Sequence, residues 1–424
     1  MRILLIGSGG RESAIARSLS LSPECEALFI APGNAGTGEY GTNVPVGVLD
    51  FEAIGALIDA EKIDMIVVGP EVPLVKGIRE YLEDREGRKP LIVGPGARGA
   101  ALEGSKDFAK EFMGRYGIPT ARHLTVDAAN IAAGEAFLRS LQPPYVLKAD
   151  GLAAGKGVLI LDNIDDAVRE LHAMLAGSFG AASAKVVIEE YLHGIECSVF
   201  VLTDGHGGCR ILPPAKDYKR IGEGDTGLNT GGMGAVCPPP FADAEFMEKV
   251  KERIAIPTIR GLIAEGIDYR GFIFLGLMKV GSDPMVIEYN ARMGDPETEA
   301  VMPRITSDIV PLLAAAAAGN IGEAALEVDP RTAVTVMAVA DGYPGSYAKG
   351  TPMKIGSAPA GSMYFHAGTA NDAEGRTVTA GGRVIAATSL APTLAEAAAM
   401  SFAAIDAVEY DGKYYRRDIA KDLI

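Results

Sequence analysis

The chain has 424 residues, 48% of them hydrophobic and 22% charged, a globular composition that excludes a disordered polypeptide and implies roughly two to four packed units. Forty Lys and Arg against 55 Asp and Glu leave a net charge of −15, which argues against a protein built mainly to grip nucleic acid, whose phosphates need a surplus of cations. Four cysteines and five histidines show no C-x-x-C, no H-E-x-x-H and no regular framework, so neither structural zinc nor disulfides are expected and a reducing cytoplasm is the natural compartment.

In chain order, Met1-Arg2 runs straight into the strand-like Ile3 to Ile6, with no signal-peptide pattern. Apolar runs Ala27 to Ala31, Met65 to Val68 and Leu91 to Val93 follow, each ending in glycine or in Pro32-Gly33. This rhythm predicts a parallel sheet wrapped by helices, with functional loops at the carboxyl ends of its strands. Gly7-Ser8-Gly9-Gly10-Arg11 leaves a strand and opens a helix, where backbone N–H groups can receive a phosphate. A tight helix-packing turn is the plainer alternative. An NAD site is disfavoured, because Glu12 stands where a third glycine would be and the second strand ends without an acidic residue.

A second unit is expected from about Ser105. Its strand Tyr145 to Lys148 delivers a lysine, and the small-residue loop Gly151 to Gly157 carries another, Lys156, a pattern suited to a triphosphate. It is no Walker A loop, since Gly157 follows Lys156 in place of Ser or Thr; a flexible hairpin is the alternative. Val186 to Leu192 then reads as a strand and turn that could meet a purine edge, with Glu196 placed for ribose hydroxyls, or else as an edge strand with solvated carboxylates. In Val286 to Arg292, alternation puts Glu288, Asn290 and Arg292 on one face and Ile287 and Tyr289 on the other. Residues two apart lie ~6.6 Å apart along a strand, so Glu288 and Asn290 can share a hard cation, magnesium before zinc because both donors are oxygens. A buried polar strand without metal is the alternative. The run from Ile309 to Ala318 is too short to span a membrane, which takes ~20 apolar residues. Strands Thr332 to Val339, Ser362 to Ala367 and Gly382 to Thr388 precede an alanine-rich helix around Leu394 to Ala407.

Lysine, glycine loop, acidic hinge and Glu-x-Asn strand in this order resemble the ATP-grasp carboxylate-amine ligases. Within them, Gly-Gly-Arg-Glu at 9 to 12, Ala-Pro-Gly-Asn-Ala-Gly-Thr at 31 to 37, Val-Gly-Pro-Glu at 68 to 71, Pro-Leu-Val-Lys-Gly at 73 to 77 and Glu-Gly-Ser-Lys at 103 to 106 resemble the phosphoribosylamine-glycine ligase (glycinamide ribonucleotide synthetase) family. So do Lys-Ala-Asp-Gly-Leu-Ala-Ala-Gly-Lys-Gly-Val at 148 to 158, Asn-Thr-Gly-Gly-Met-Gly-Ala at 229 to 235, Gly-Asp-Pro-Glu-Thr at 294 to 298 and Phe-His-Ala-Gly-Thr at 365 to 369, so the likeness spans essentially the whole chain. Two positions depart from the family pattern: Ser13 and Tyr218 stand where histidine is common.

The resemblance implies an α/β and α+β multidomain fold: a parallel, Rossmann-like amino-terminal domain at 1–104, an ATP-grasp core at 105–328 with a mobile lid at about 121–192, and a small α+β domain at 329–424 with no fused domain after it. It implies ligation of glycine to 5-phosphoribosylamine through glycyl phosphate, with ATP and Mg²⁺ or Mn²⁺. Lys148, Lys156 and Arg292 are the expected catalytic cations. Lys106, Lys148, Gly151, Gly155, Lys156, Gly157, Glu189, Glu190, Leu192 and Glu196 are assigned to the nucleotide, and Glu288 and Asn290 to the metal. Gly9, Gly10, Asn34, Asp217, Lys219 and Arg220 are assigned to the ribosylamine, and Gly294, Asp295, Pro296 and Glu297 to glycine. No nucleic acid or membrane partner is expected; a transient contact with the upstream amidotransferase is left open. A bicarbonate-using ATP-grasp carboxylase and a non-catalytic nucleotide-binding regulator are the competing readings, with an NAD oxidoreductase third.

Overall fold

A computed structural model describes residues 1–151, 157–178, 180, 184–322 and 324–424. The first hundred residues form a five-stranded parallel sheet in the spatial order Thr42–Asn43, Ala27–Pro32, Arg2–Gly7, Met65–Val68, Leu91–Val93. Ile3 to Ile6 are wholly buried, as expected of a central parallel strand covered on both faces. The short outer strand Thr42–Asn43 has no apolar run behind it and is not legible in the sequence pattern.

Past Lys106, the chain builds two antiparallel sheets. One orders His123–Val126, Val186–Glu190, Tyr145–Ala149 and Val158–Leu161. Helices Ile131–Ser140 and Ile164–Leu175 pack with it, and Leu138, Leu147, Leu171, Met174 and Ile188 make a core of its own. The other orders Cys209–Ile211, Ile195–Asp204, Arg270–Val280 and Asp283–Asn290, backed by Phe112, Phe246 and Ile259 from three helices. Residues 191–194 lead directly from the first sheet to the second.

A further five-stranded sheet orders Lys216–Asp217, Gly234–Cys237, Thr332–Val339, Arg383–Ala391 and Ser362–His366, with helix Leu394–Asp406 packed against it. Gly234–Cys237 pairs with Thr332–Val339, so hydrogen bonds run across the division expected at 328/329. One hydrophobic cluster joins Leu5 and Ile30 to Met233, Val236, Val336 and Ile385. Among the described residues, no helix is long and apolar enough to cross a membrane, and all four cysteines are free.

The strand expected through Arg292 stops at Asn290. A bulge leaves Gly276 opposite Glu288 and Leu277 opposite Val286, which breaks the alternation at Ile287. The Ala291 amide then donates to Glu103 Oε2 at 2.7 Å, drawing the chain off the sheet.

Candidate active site

The site starts from a helix cap. Ser105 caps helix Lys106–Arg115 through the Phe108 amide, and its hydroxyl donates to Asp150 Oδ1 at 3.0 Å, which also accepts from the Asp107 amide at 2.8 Å. Asp150 therefore fastens the end of strand Tyr145–Ala149 to the start of this helix, and Lys106 Nζ reaches the carbonyl of Gly151 at 3.2 Å. Burial lowers the Lys106 ammonium from its ordinary value, with Glu288 opposing and Lys148 reinforcing the effect. Lys148 is buried; its Nζ donates to the Ile287 carbonyl at 3.3 Å and pairs with Glu189 Oε1 at 2.9 Å. Gly155 and Lys156 lie outside the described residues, which resume at Gly157.

The Glu189 side chain is engaged within the protein. Its carboxylate turns inward to two lysines, Lys148 and Lys110, the latter 3.2 Å from Oε2. Burial disfavours its charge, but the two ammonium groups outweigh that and hold it below the ordinary carboxylate range. Lys110 went unnoticed in the sequence, although it lies four residues beyond Lys106 and thus on the same helix face. Burial pushes it down to about 8 despite Glu189. Glu190 faces the other way, accepting from the Arg122 backbone and Nε at 2.8 and 2.7 Å. Leu192 is half-buried in the connection between the two antiparallel sheets.

A narrow cavity lies against the second of these sheets, lined by its Glu196, Ser198, Ile287 and Glu288 and by Lys219, among others. Ile287 lines it beside Glu288 because of the bulge, in place of the opposite orientation that alternation predicts. Lys219 Nζ bonds Glu196, whose carboxylate is thereby already engaged. Burial opposes charge on Glu288, but Lys219, Lys148, Lys106 and Arg292 prevail and keep it ionised. Asn290 is half-buried, and its side-chain amide makes no hydrogen bond to another described residue. Among the described residues, no group of three or more His, Cys, Asp or Glu could hold a metal. An ionised carboxylate beside one free amide oxygen suits a hard cation that takes its remaining ligands from phosphates and water.

Asp217, on the strand beside Lys219, is pushed up to about 7 by burial, with Lys219 opposing and Glu297 and Glu196 adding. Buried Glu297 accepts from the Ser198 hydroxyl at 2.8 Å and is raised by burial. Arg220 points elsewhere, donating to the Gly227 carbonyl at 2.8 Å. Tyr218 is buried; its hydroxyl donates to Asp422 Oδ1 at 2.6 Å and accepts from the Ala420 amide at 3.1 Å. Lys216 closes the same clamp on Asp422 at 2.5 Å, so this departure from the family pattern ties down the carboxyl-terminal tail.

Arg292 spans two carboxylates of the first hundred-odd residues, Glu71 at 3.3 Å and Glu103 at 2.9 Å. The glycine loop likewise meets carboxylates of the protein itself. The Gly9 amide donates to Glu12 Oε2 at 2.6 Å and the Arg11 amide to Asp295 Oδ2 at 3.3 Å. Gly10 is required by close approach, since a Cβ there would run into Glu299. Glu299 is buried, and burial beside Asp295 raises it well above its ordinary value, favouring its neutral form; Arg383 and Arg11 hold Asp295 below its ordinary value against its own burial. Asn34 has no amide hydrogen to spare: Nδ2 donates to the carbonyls of Ser8 and His366, each at 2.8 Å, and Oδ1 accepts from Gly36 at 2.9 Å. Ser13 donates to the same His366 carbonyl at 2.5 Å. Pro296 packs on Gly232, whose φ of +120° and lack of a Cβ both suit the contact. Arg383, from the carboxyl-terminal segment, holds the carbonyls of Gly231 and Asp295 at 2.7 and 2.8 Å and the Asp295 carboxylate at 2.9 Å.

The structure thus gathers Lys106, Lys148, Lys219, Glu196, Asp217, Glu288 and Glu297 around one region. It turns Arg220 away and commits Asn34, Gly9 and Glu189 to internal bonds. Lys110, Glu71, Glu103, Glu299 and Arg383 drew no role from the sequence, because their partners lie about 80 to 290 positions away in the chain.

Comparison with known proteins follows the same layout. Residues 1–103 match the model of the phosphoribosylglycinamide synthetase N domain, 104–298 that of its ATP-grasp (A) domain and 333–422 that of its C domain. A phosphoribosylamine–glycine ligase of Salmonella typhimurium is 45% identical over 99% of this chain and 98% of its own length. The crystal structure of the phosphoribosylamine–glycine ligase from Thermotoga maritima covers 99% of this chain and all of its own, with 36% identity and a TM-score of 0.86. The biotin carboxylase–beta-gamma-ATP complex from Campylobacter jejuni has a TM-score of 0.73, covering 97% of this chain and 92% of its own; at 16% identity this is a likeness of fold alone.

Proposed function

The chain belongs to the phosphoribosylglycinamide synthetase family, and from that premise we propose that it joins glycine to 5-phosphoribosylamine, cleaving ATP to ADP and phosphate and yielding glycinamide ribonucleotide for purine biosynthesis. The observation that carries the reading is the convergence of Lys106, Lys148 and Glu288, from a helix and two different sheets, close enough that the two ammonium groups help to hold the Glu288 carboxylate ionised.

In this reading Lys106 and Lys148, with Lys156 from the glycine loop, offset the charge of the triphosphate. Glu288 and Asn290 hold Mg²⁺ or Mn²⁺, which would neutralise phosphate charge when bound. The purine lies along the Glu190 to Leu192 connection. Glycine's carboxylate attacks the γ-phosphorus, and the ribosylamine nitrogen then attacks the resulting glycyl phosphate. Such chemistry asks for positioning and charge neutralisation above all. Arg292 steadies the transferred phosphoryl group while bridging Glu71 and Glu103. The 294–297 loop receives glycine, Glu297 facing its ammonium. Asp217 and Lys219 face the ribosylamine; Asn34 shapes that end of the site through the loops it ties together.

The sheet built from 123–161 and 186–190 serves as a lid. Its separate core lets it move as a body, and its closure keeps water from the acyl phosphate. The labile amine favours a brief handover from the upstream amidotransferase, and the free cysteines suit the cytoplasm.

ADP release with ATP and Mg²⁺, omitting glycine and phosphoribosylamine in turn, tests the reaction. Full turnover is expected only when both are present. Release driven by bicarbonate without glycine would instead support a carboxylase, and no release in the complete mixture would sink the assignment.

A further inference from the structure

We propose that Lys110 is a positioning residue for the phosphate-binding lysine: by sharing Glu189 with Lys148, it prevents that carboxylate from neutralising Lys148 and so leaves the Lys148 ammonium available to the nucleotide. The inference rests on the nucleotide reading of the site given above.

The geometry is a chain of contacts across the base of the lid. Lys110 Nζ donates to Thr120 Oγ1 at 2.7 Å, and Thr120 Oγ1 donates to the Val286 carbonyl at 2.6 Å. The Val286 amide answers with a bond to the Pro119 carbonyl at 2.8 Å, so the strand bearing Glu288 and the first segment of the lid are stitched together beside Lys110. From there Lys110 reaches Glu189 Oε2 at 3.2 Å, and Glu189 Oε1 stands 2.9 Å from Lys148 Nζ. All three side chains are buried, so solvent does not screen the charges.

Two cations share one anion, and the trio carries a net charge of +1. Glu189 Oε1 accepts no well-aligned hydrogen bond, although Lys148 is close, which leaves the Lys148 ammonium directed in part elsewhere, toward the Ile287 carbonyl. Without Lys110, the carboxylate would have Lys148 as its sole ion-pair partner among the described residues. The pair would then be neutral, and the nucleotide would have to compete with Glu189 for the ammonium. The register explains why both lysines meet this residue: Glu189 lies opposite Val146 on the lid strand, two positions and one pleat from Lys148, while Lys110 approaches from the helix side.

The test measures MgADP affinity by calorimetry in four full-length proteins: wild type, Lys110→Met, Glu189→Gln and the double variant, each with a thermal melt. Lys110→Met is expected to weaken MgADP on the order of tenfold or more. The double variant is expected to return to within about threefold of Glu189→Gln, because removing the carboxylate makes Lys110 unnecessary. Unchanged affinity in Lys110→Met would overturn the inference. So would a double variant that binds as weakly as Lys110→Met, since that pattern marks a scaffold defect or a direct phosphate contact. If Lys110→Met does not fold, the comparison of Glu189→Gln with the double variant decides alone. Wild-type protein that ignored MgADP would overturn the nucleotide reading and this inference together, whereas normal wild-type binding with an unmoved Lys110→Met would overturn this inference only.

Discussion

His366 should make the protein acid-sensitive in a way that can be isolated. Its ring is buried, with Nδ1 2.9 Å from Thr369 Oγ1, and it lies so close to Gly36 that a Cβ there would run into it. Burial pushes its pKa down from 6.5 to about 4. A histidine held neutral in the fold but free to protonate in the unfolded chain contributes stability that is fully present above pH 6.5 and is lost as the pH falls toward 4. Between pH 7.5 and pH 5.0 the linkage relation gives a loss of ~2 kcal/mol from this group, rising to ~3 kcal/mol below pH 4. The functional interest is that the His366 carbonyl anchors both Ser13 and Asn34. Urea unfolding at the two pH values, for wild type and His366→Gln, separates this contribution from that of the carboxylates, which both proteins share. Wild type should lose ~2 kcal/mol more than the variant over this range. Equal losses, or a His366 C2-proton resonance that titrates near 6.5, would refute the reasoning.

Arg292→Met should reduce turnover about a hundredfold, ~3 kcal/mol, on the scale of a lost charge-stabilising donor. Because that change also strands buried Glu103, the paired variant Arg292→Met/Glu103→Gln should regain melting temperature without regaining ADP release; near-normal release would count against the role of Arg292. Tyr218→Phe removes a bond to Asp422 and one from the Ala420 amide, which should cost ~1–3 kcal/mol and speed amide exchange in the last few residues. Unaltered exchange there would show that Lys216 holds the tail unaided.

The parts of the fold that were legible are those written in local pattern. Ile3 to Ile6 and Met65 to Val68 are unbroken apolar runs ended by glycine, and each is the buried strand it reads as. The strand Tyr145 to Lys148 was likewise readable and runs one residue further, to Ala149. Alternation failed at Ile287, where one extra residue in the ladder reorients its side chain, and it could not reach Arg292 once Glu103 had drawn Ala291 off the sheet. Glycine runs gave the places where the backbone must be approached closely but left the approaching group unspecified. At Gly10 that group is Glu299, and near Gly232 it is Pro296.

The same limit explains why the carboxyl-terminal segment had no evident role in the sequence. Nothing near Arg383 suggests chemistry, yet its guanidinium holds three oxygens of the Gly231 and Asp295 loops, and Asp295 in turn meets the Arg11 amide at the head of the glycine-loop helix. Three stretches of chain, one from each family domain, are thereby fixed to one another through a single ionised carboxylate. The upward shift of Glu299 beside it limits the cost of this arrangement: two charged carboxylates in that buried space would repel, whereas one charge between Arg383 and Arg11 is balanced. The glycine loop is therefore a docking point for the 294–297 loop, and the carboxyl-terminal segment fixes where that loop stands.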